Sequence, residues 1–404
     1  MDLEISSRLN GIGEYYFSQK LREIEELNRL GKRIINLGIG SPDLPPDPSV
    51  IRVLQEESLN PAAHGYQNYK GSPVLRKSIA EWYRQWYAVE LDPDSEILPL
   101  IGSKEGIMHI CMTYLDQGDI ALVPNPGYPT YRSAVKLAGG QCLDYELKEE
   151  NNWFPDFDEL ERVIERTNNP HKGSGVSGAA TRRGSIKLMW VNYPHMPTGQ
   201  LPTEELFEKL IAFAAKHSII ICHDNPYSFI LNDSPKSLLS TPGAMEVAIE
   251  MNSLSKSQNM AGWRIGMLIA KKEKVDQVLR FKSNMDSGMF LPIQLAAAKA
   301  LSLPSSWYSS LNEIYRRRRD YVYQLLDSLG CDYDRKQAGL FIWAAIPSSF
   351  ASGYALSDEL LHKAGIFITP GGIFGDAGDR YIRVSLCSNE EKLAQCQYRI
   401  KELL

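Results

Sequence analysis

The sequence predicts an α/β protein whose central sheet is largely parallel, with a smaller α+β unit at the C-terminal end. Three observations favour this fold class. Apolar runs typical of strands alternate with amphipathic helical patterns. This alternation changes near residue 304. The chain of 404 residues also exceeds what one hydrophobic core usually supports, so we expect two subdomains.

Four apolar runs have the length and composition of buried strands. They cover residues 119–126, 186–194, 219–227 and 263–270, and such continuous runs are typical of strands covered on both faces. Residues 203–219 lie between two of them, with helical spacing and a Thr-x-x-Glu-like capping signal at the start. Strands and helices that alternate in this way predict a parallel sheet.

The C-terminal part has a different pattern. A long helix over 306–329 precedes the strand GLFIWAAIP, another helix and the strand RYIRVSLC. The N-terminal arm could lie over this unit. We therefore expect residues 1–46 to form an arm that contributes to the small domain, residues 47–290 the large domain, and residues 291–404 the small domain with its connecting helices.

Two segments of biased composition have plain interpretations. Residues 167–185 are poor in large apolar residues and rich in Gly, Ser and Thr, which is typical of a mobile surface loop. The basic run Arg316–Arg319 lies inside a helical pattern, which indicates a solvated or domain-packing face rather than a binding site.

The composition argues against several function classes. Hydrophobic residues make up 43% of the chain and charged residues 23%, as in soluble globular proteins. The net charge of −5 gives no reason to propose nucleic acid or an anionic membrane as a partner. We find neither a secretory apolar segment nor a run of about 18 apolar residues. The six cysteines and seven histidines lack metal-ligand spacing, so we expect a cytoplasmic protein with reduced thiols and no metal.

The stretch SLSKSQNMAGWRIG (253–266) carries the most chemical information. A lysine becomes a useful nucleophile when burial and neighbouring cations lower its pKa, and it can then form a Schiff base. Lys256 stands beside the hydroxyls of Ser253 and Ser255 and ahead of Arg264, groups suited to hold a phosphate. A Schiff-base lysine next to a phosphate clamp is typical of a pyridoxal-phosphate site, and the alternative is an ordinary surface loop.

Further candidates follow the predicted strands. Ser103 and Lys104 open a helical run, and a helix N-terminus binds anions, although Ser103 could simply cap the helix. Tyr128 could stack on a flat heteroaromatic ring or could simply be packed. Asp224 ends a buried strand, where an acid is costly unless it meets a cation or donor. It could keep a pyridine nitrogen protonated, with Tyr227 donating to the ring oxygen, or it could cap the next turn.

Together these motifs resemble the class I/II aminotransferases of pyridoxal-phosphate fold type I over nearly the whole chain. The closest similarity is to the alanine and LL-diaminopimelate aminotransferase group, through NMAGWRIG and KSNMDSGMF. The motifs, in order, are LGIGSPDLP (37–45), YQNYKGSPVLR (66–76), GSKEG (102–106), NPGYPTY (125–131), PTG (197–199), HDNPY (223–227), SLSKSQNMAGWRIG (253–266) and YIRVSLC (381–387).

The resemblance implies a pyridoxal 5'-phosphate cofactor, a homodimer with shared active sites, and a role for each matching residue. Arg383 matches the arginine that forks onto the substrate α-carboxylate, and Gly40 falls in the loop that closes over it. Tyr66 matches a tyrosine that reaches the phosphate of the neighbouring subunit. Lys256 matches the Schiff-base lysine that also shuttles the proton. The cofactor contacts implied are Ser103, Lys104, Tyr128, Asp224, Tyr227, Ser253, Ser255 and Arg264.

One position departs from the family pattern. Asn-Pro-Thr-Gly is usual, with the asparagine donating to the ring oxygen, but Met196 precedes Pro197 here. A thioether cannot donate a hydrogen bond. We therefore expect the Schiff base of Lys256 to have a raised pKa, unless His195 or a water substitutes.

The implied reaction moves an amino group between an L-amino acid and a 2-oxo acid with ping-pong kinetics. A C–S β-lyase or a decarboxylase on the same fold is the alternative enzyme. A non-catalytic binding module is a third, opposed by the presence of Lys256, Asp224 and Arg383 together. Dicarboxylate specialists bring an arginine from the segment after the lysine. Residues 283–290 contain none, which disfavours aspartate as the donor without excluding it and leaves alanine, glutamate and diaminopimelate open.

Overall fold

The structure is a computed structural model that describes residues 3–168 and 184–403. The segment 167–185, with its predicted surface loop, lies almost entirely outside the described residues. The strands are β1 (Ile35–Asn36), β2 (Ile97–Leu100), β3 (Ile120–Asn125), β4 (Gln141–Glu146), β5 (Ile186–Val191), β6 (Ile220–Asp224), β7 (Ala248–Ser253), β8 (Gly266–Ala270), β9 (Phe341–Ala345), β10 (Ile366–Phe367), β11 (Thr369–Pro370) and β12 (Tyr381–Ser385).

Helices cover both faces of the main sheet and build the C-terminal part. They are α1 (Tyr16–Arg29), α2 (Pro48–Ser58), α3 (Pro73–Tyr87), α4 (Ser103–Tyr114), α5 (Pro129–Leu137), α6 (Phe157–Asn168), α7 (Glu204–His217), α8 (Ala244–Val247), α9 (Lys272–Lys282), α10 (Leu291–Leu301), α11 (Ser305–Ser328), α12 (Gly353–Glu359) and α13 (Glu390–Leu403). Among the described residues, none of these helices is long and apolar enough to cross a membrane.

The main sheet has seven strands in the order β2-β8-β7-β6-β5-β3-β4. All neighbouring pairs are parallel except those of β8, which runs antiparallel to both β7 and β2. The largely parallel sheet is therefore confirmed, and so are the four predicted strands. The last begins at Gly266 rather than at residue 263 because Ala261–Trp263 form a helical turn and Arg264 has a left-handed backbone with φ of 57°.

Two apolar cores lie on the two faces of this sheet. Along β5, Leu188 and Trp190 join one core, whereas Met189 and Val191 join the other. This alternation follows from the period of two along a strand. The predicted helix over 203–219 is α7, and the Thr203 hydroxyl caps it by accepting from the Leu206 N–H.

The C-terminal strands form a separate three-stranded antiparallel sheet in the order β11-β12-β9. The N-terminal arm joins this region, because β1 pairs in parallel with β10. The N–H of Leu37 donates to Phe367 O at 2.8 Å, and the N–H of Ser385 donates to Leu37 O at 2.7 Å. The domain boundaries at residues 46 and 290 stay a prediction.

The arginine run lies on α11, and its side chains contact other parts of the chain or exposed acids. Arg318 is buried and forms a two-pronged ion pair with Asp43 at 2.7 and 2.9 Å. Arg316 and Arg317 contact exposed acids instead. The prediction of a packing or solvated face is confirmed for these three residues.

Candidate active site

A cavity of about 480 Å³ lies where the carboxyl ends of β5, β6 and β7 meet residues of the C-terminal sheet. Carboxyl ends of parallel strands are the usual place for ligand sites in such folds. Every residue that the sequence predicts for the site, except Tyr66, lines this cavity. These residues are Gly40, Ser103, Lys104, Tyr128, Asp224, Tyr227, Ser253, Ser255, Lys256, Arg264 and Arg383.

Lys256 follows β7, and its amine lies inside the cavity. The Nζ atom donates to Gly40 O at 2.6 Å and lies 5.9 Å from the ring centroid of Tyr227. Burial lowers the pKa of Lys256, and the positive charges of Arg383 and Arg264 act in the same direction, against the opposite effect of Cys387. A buried amine of lowered pKa is the reactive form that Schiff-base chemistry requires.

Asp224 ends β6 with only one of its carboxylate oxygens partnered. Its Oδ2 accepts from the hydroxyl of Tyr131 at 2.9 Å, while Oδ1 is buried without a donor among the described residues. Burial raises the pKa of Asp224 to about 6, although the hydrogen bond from Tyr131 opposes this change. A buried acceptor with a free oxygen is suited to the N–H of a protonated ring nitrogen.

One end of the cavity is built to hold an anion. Gly102 precedes α4 with φ of 80°, so the helix begins at Ser103 with Gly102 as its cap, and Ser103 does not cap the helix. The hydroxyls of Ser253 and Ser255 are 2.9 Å apart. A Cβ at Gly102 would overlap the guanidinium of Arg264, so the glycine lets that group reach the helix N-terminus. Helix N-terminus, hydroxyls and guanidinium together fit a phosphate.

Tyr128 forms part of an aromatic wall. Its ring packs edge-on against Tyr131, with centroids 5.5 Å apart and an interplanar angle of 87°. Tyr131 in turn stacks on Trp190 at 5.0 Å. The role of Tyr131 as the donor to Asp224 was missed from the sequence. The signal was present, since Tyr128 and Tyr131 stand three residues apart at the start of a helix.

Arg383 lies on β12, buried among aromatic rings. Its Nη2 donates to Gly38 O at 2.8 Å, Nη1 lies 3.2 Å from the sulfur of Met196, and the guanidinium lies 3.7 Å from the ring centroid of Phe341. Burial lowers the pKa of Arg383 to about 10, against the opposing effect of Tyr227. No carboxylate within the described part of the chain pairs with this guanidinium.

Gly40 is required by close packing. A Cβ at this position would overlap the ring of Phe341. The glycine therefore lets the N-terminal arm pass close to Phe341 and place its carbonyl on the amine of Lys256. This places the arm against Lys256 and beside the arginine that the sequence assigns to the substrate.

The arm contributes side chains that sequence reasoning missed. Tyr15, Phe17 and Leu21 line the cavity, together with Phe341 and Phe374 from the C-terminal region. No local sequence pattern predicts these arm residues, because their position depends on long-range pairing of the arm. The amine of Lys104 lies 4.8 Å from the ring centroid of Tyr15, on the same side of the cavity.

His195 does not line the cavity. Its Nδ1 lies 2.8 Å from the hydroxyl of Thr198, and burial lowers the pKa of His195 to about 3. The sequence offered His195 as a substitute for the missing asparagine at position 196. The side chain instead packs away from the cavity, so Met196 alone represents that position in the cavity wall.

Tyr66 lies outside the cavity of its own chain. Its side chain is 96% exposed, and the adjacent Gln67 pairs with Gly288 in an isolated bridge. The structure of one chain therefore does not bring Tyr66 to the site, and its service to a neighbouring subunit stays a prediction.

A buried charged cluster joins Glu105 and His109 of α4 to Lys282 at the end of α9 and to Asp286. Glu105 Oε1 lies 2.7 Å from His109 Nε2, and Glu105 also accepts from the N–H of Ile101. The amine of Lys282 contacts Asp286 at 2.5 Å and Glu105 at 3.4 Å. Glu105, His109 and Asp286 have a metal-like grouping that the sequence did not indicate, but the cluster holds its own cation, Lys282.

Comparison with known proteins places this geometry among aminotransferases. The family model for class I and II aminotransferases matches residues 32–400. The chain is 40% identical to the LL-diaminopimelate aminotransferase of Dehalococcoides mccartyi over 97% of this chain and 96% of the relative. It is 37% identical to that of Aquifex aeolicus over 99% of each. The solved structure of BacF from Bacillus subtilis matches with a TM-score of 0.90 at 35% identity, over 99% of this chain and 98% of that one.

Proposed function

The chain belongs to the class I and II aminotransferases, and we propose that it prefers L-amino acids with apolar side chains as amino donors. It is a pyridoxal-phosphate-dependent enzyme that moves an amino group between an L-amino acid and a 2-oxo acid. The observation that carries the donor preference is the wall around Arg383. Phe17, Phe341 and Phe374 lie around the guanidinium of Arg383, and Leu21 and Ile39 extend the apolar lining of the same cavity.

The residues present fit the cofactor. The free buried oxygen of Asp224 would accept from the protonated ring nitrogen, and Tyr128 would lie against the ring. Ser103, Ser253, Ser255 and Arg264 would hold the phosphate. When bound, pyridoxal phosphate carries the amino group and withdraws electrons from the substrate α-carbon.

Side chains of the protein would bind the substrate carboxylate, transfer the α-proton and exclude water. The carboxylate of the amino acid would bind the guanidinium of Arg383, since a planar fork matches a carboxylate in two hydrogen bonds. The amine of Lys256, whose pKa is lowered by burial, would remove the proton from the α-carbon and deliver it to C4′ of the cofactor. Gly40 and the arm would exclude water from this proton transfer.

LL-diaminopimelate is the second candidate donor. The named relatives favour it, and Lys104 offers a cation for a distal carboxylate. Against it, Asp224 is the only acidic residue among the described residues lining the cavity. The second ammonium of diaminopimelate would therefore lack a carboxylate partner within one chain.

A panel of amino donors tests the preference. Leucine, methionine and phenylalanine should exceed LL-diaminopimelate and aspartate in kcat/KM by about tenfold or more with 2-oxoglutarate as acceptor. Lys256→Ala is the matched control for uncatalysed transfer. A higher kcat/KM for LL-diaminopimelate would replace the apolar donor class with the second candidate.

We further propose that the enzyme works as a cytoplasmic homodimer. Large apolar side chains are exposed on two adjoining segments, which suits burial against a second copy. These side chains are Tyr66, Tyr69, Met285 and Phe290. The six cysteines are all unpaired, as suits a reducing compartment.

A further inference from the structure

We infer that Met196 is a positioning residue for Arg383: its thioether sulfur orients the guanidinium that receives the substrate carboxylate. The inference rests on the proposed carboxylate role of Arg383. It gives the departure at position 196 a function of its own, separate from any contact with the cofactor ring.

The contact is made within a rigid frame. Met196 is only 5% exposed, and its sulfur lies 3.2 Å from Arg383 Nη1. Its backbone N–H donates to Asn192 Oδ1 at 2.8 Å, and the amide of Asn192 donates to the carbonyl oxygen of Asp224. The backbone of Met196 is therefore held at a fixed place relative to the end of β6, and burial keeps the side chain beside Arg383.

The remaining contacts of the guanidinium leave its fork open. Nη2 donates to Gly38 O, and Nε is buried with no acceptor among the described residues. The rings of Phe341 and Phe374 lie 3.7 and 4.7 Å from the guanidinium carbon and offer no oxygen acceptor. Of five N–H groups, only those toward Met196 and Gly38 are engaged, so the rest can meet a carboxylate.

A sulfur acceptor suits this task because it is weak. A carbonyl or carboxylate oxygen at the same place would compete with the substrate for the guanidinium, whereas a thioether accepts weakly and yields readily. The guanidinium is thus oriented before the substrate arrives without being neutralised. Preorganisation of this kind should lower the dissociation constant of the carboxylate.

Binding of an unreactive carboxylate to the holoenzyme tests the inference. The probe is 4-methylpentanoate, which lacks an amino group, and its dissociation constant is measured by calorimetry. Met196→Leu keeps the bulk of the side chain but removes the acceptor, and should raise this dissociation constant about three- to tenfold. Met196→Asn places an oxygen acceptor at this position, so it should bind the probe more tightly than Met196→Leu does but, because the oxygen competes for the guanidinium, more weakly than the parent enzyme does.

A second readout separates this effect from the cofactor. The absorbance of bound pyridoxal phosphate changes at a pH set by the proton on its linkage to Lys256. Met196→Leu should leave this pH midpoint unchanged, and Met196→Asn, which adds a donor near the ring oxygen, should lower it. Unchanged probe binding in Met196→Leu would overturn the inference. Weaker binding accompanied by a shift of the pH midpoint in the same variant would overturn it as well.

Arg383→Leu distinguishes failure of the inference from failure of the proposed function. If Arg383→Leu binds the probe as tightly as the parent enzyme, the carboxylate role of Arg383 is wrong. If Arg383→Leu weakens binding and Met196→Leu does not, only the role of Met196 is wrong. Thermal melting of each holoenzyme confirms that the variants are folded.

Discussion

Asp224 shows how a single buried oxygen shapes both cofactor binding and stability. Burial raises its pKa from 3.8 to about 6. Between these two pH values, Asp224 of the cofactor-free protein is therefore protonated in the folded chain and ionised in the unfolded chain. The stability contributed by this group is complete below pH 3.8 and is lost as the pH rises through about 6.

Asp224→Asn should remove this loss. Between pH 4.5 and 7.5 the cofactor-free variant should gain about 2 kcal/mol in free energy of unfolding relative to the parent protein. Urea unfolding at the two pH values measures the difference. Asp233→Asn, at a side chain that is 86% exposed, is the control and should leave the comparison unchanged. An equal change in both variants would assign the pH dependence to other groups.

At this scale the sequence identifies cavity-lining residues where they sit in a local motif. Lys256, Asp224 and Arg383 each follow or lie in a recognisable strand, and all three line the cavity. Tyr15 and Phe17 could not be predicted, since an arm of weak pattern brings them in through contacts made far along the chain. The sulfur contact of Met196 depends on the tertiary fold, whereas the sequence shows only that the asparagine is missing.

Helices α4 and α9 are joined by a buried ion cluster whose cation is Lys282, 2% exposed in its side chain. Removing a charge from a buried group leaves its partners uncompensated, which costs far more than losing a surface pair. Glu105 also holds the N–H of Ile101, next to the turn that carries Ser103. The cluster therefore helps to fix the turn that carries Ser103.

Lys282→Met should destabilise the protein by about 3–5 kcal/mol because Glu105 and Asp286 would be left facing each other. Urea unfolding of the holoenzyme measures the loss. Lys272→Met on the same helix removes a surface pair with Asp276 at a side chain 59% exposed, and should cost at most about 1 kcal/mol. Similar losses in the two variants would show that the cluster contributes no more than a surface contact.

The elements themselves were largely predictable. Strands such as 186–194 can be recognised in the sequence because both faces of the sheet are buried there, which requires an unbroken apolar run. The reversed direction of β8 was not predictable, since a buried antiparallel strand has the same composition as a parallel one. The cluster on α4 was also missed, because Lys282 and Asp286 lie far from Glu105 in sequence and no spacing rule connects them.

In the proposed dimer, Tyr66 of one chain completes the active site of the neighbouring chain. Co-expressed Tyr66→Ala and Lys256→Ala chains should then form mixed dimers with one complete site each, and transaminase activity should exceed that of either variant alone. Tagged purification isolates the mixed dimers. Lys256→Ala mixed with Asp224→Ala should restore nothing, because both residues serve the same chain's cavity. Equal activity in both mixtures would remove Tyr66 from the shared site.

The pairing of the N-terminal arm bears on how the chain acquires function while it is being made. The seven strands of the main sheet all lie between residues 97 and 270, so their partners exist well before synthesis ends. The carbonyl oxygen of Gly38 instead accepts hydrogen bonds from Thr369, 331 residues later, and from Arg383, 345 residues later, so these bonds form only near the end of synthesis. Closing so long a loop is slow compared with local contacts. A nascent chain should therefore hold a folded cofactor platform while the substrate clamp is still missing, and specificity should be the last property that the enzyme gains.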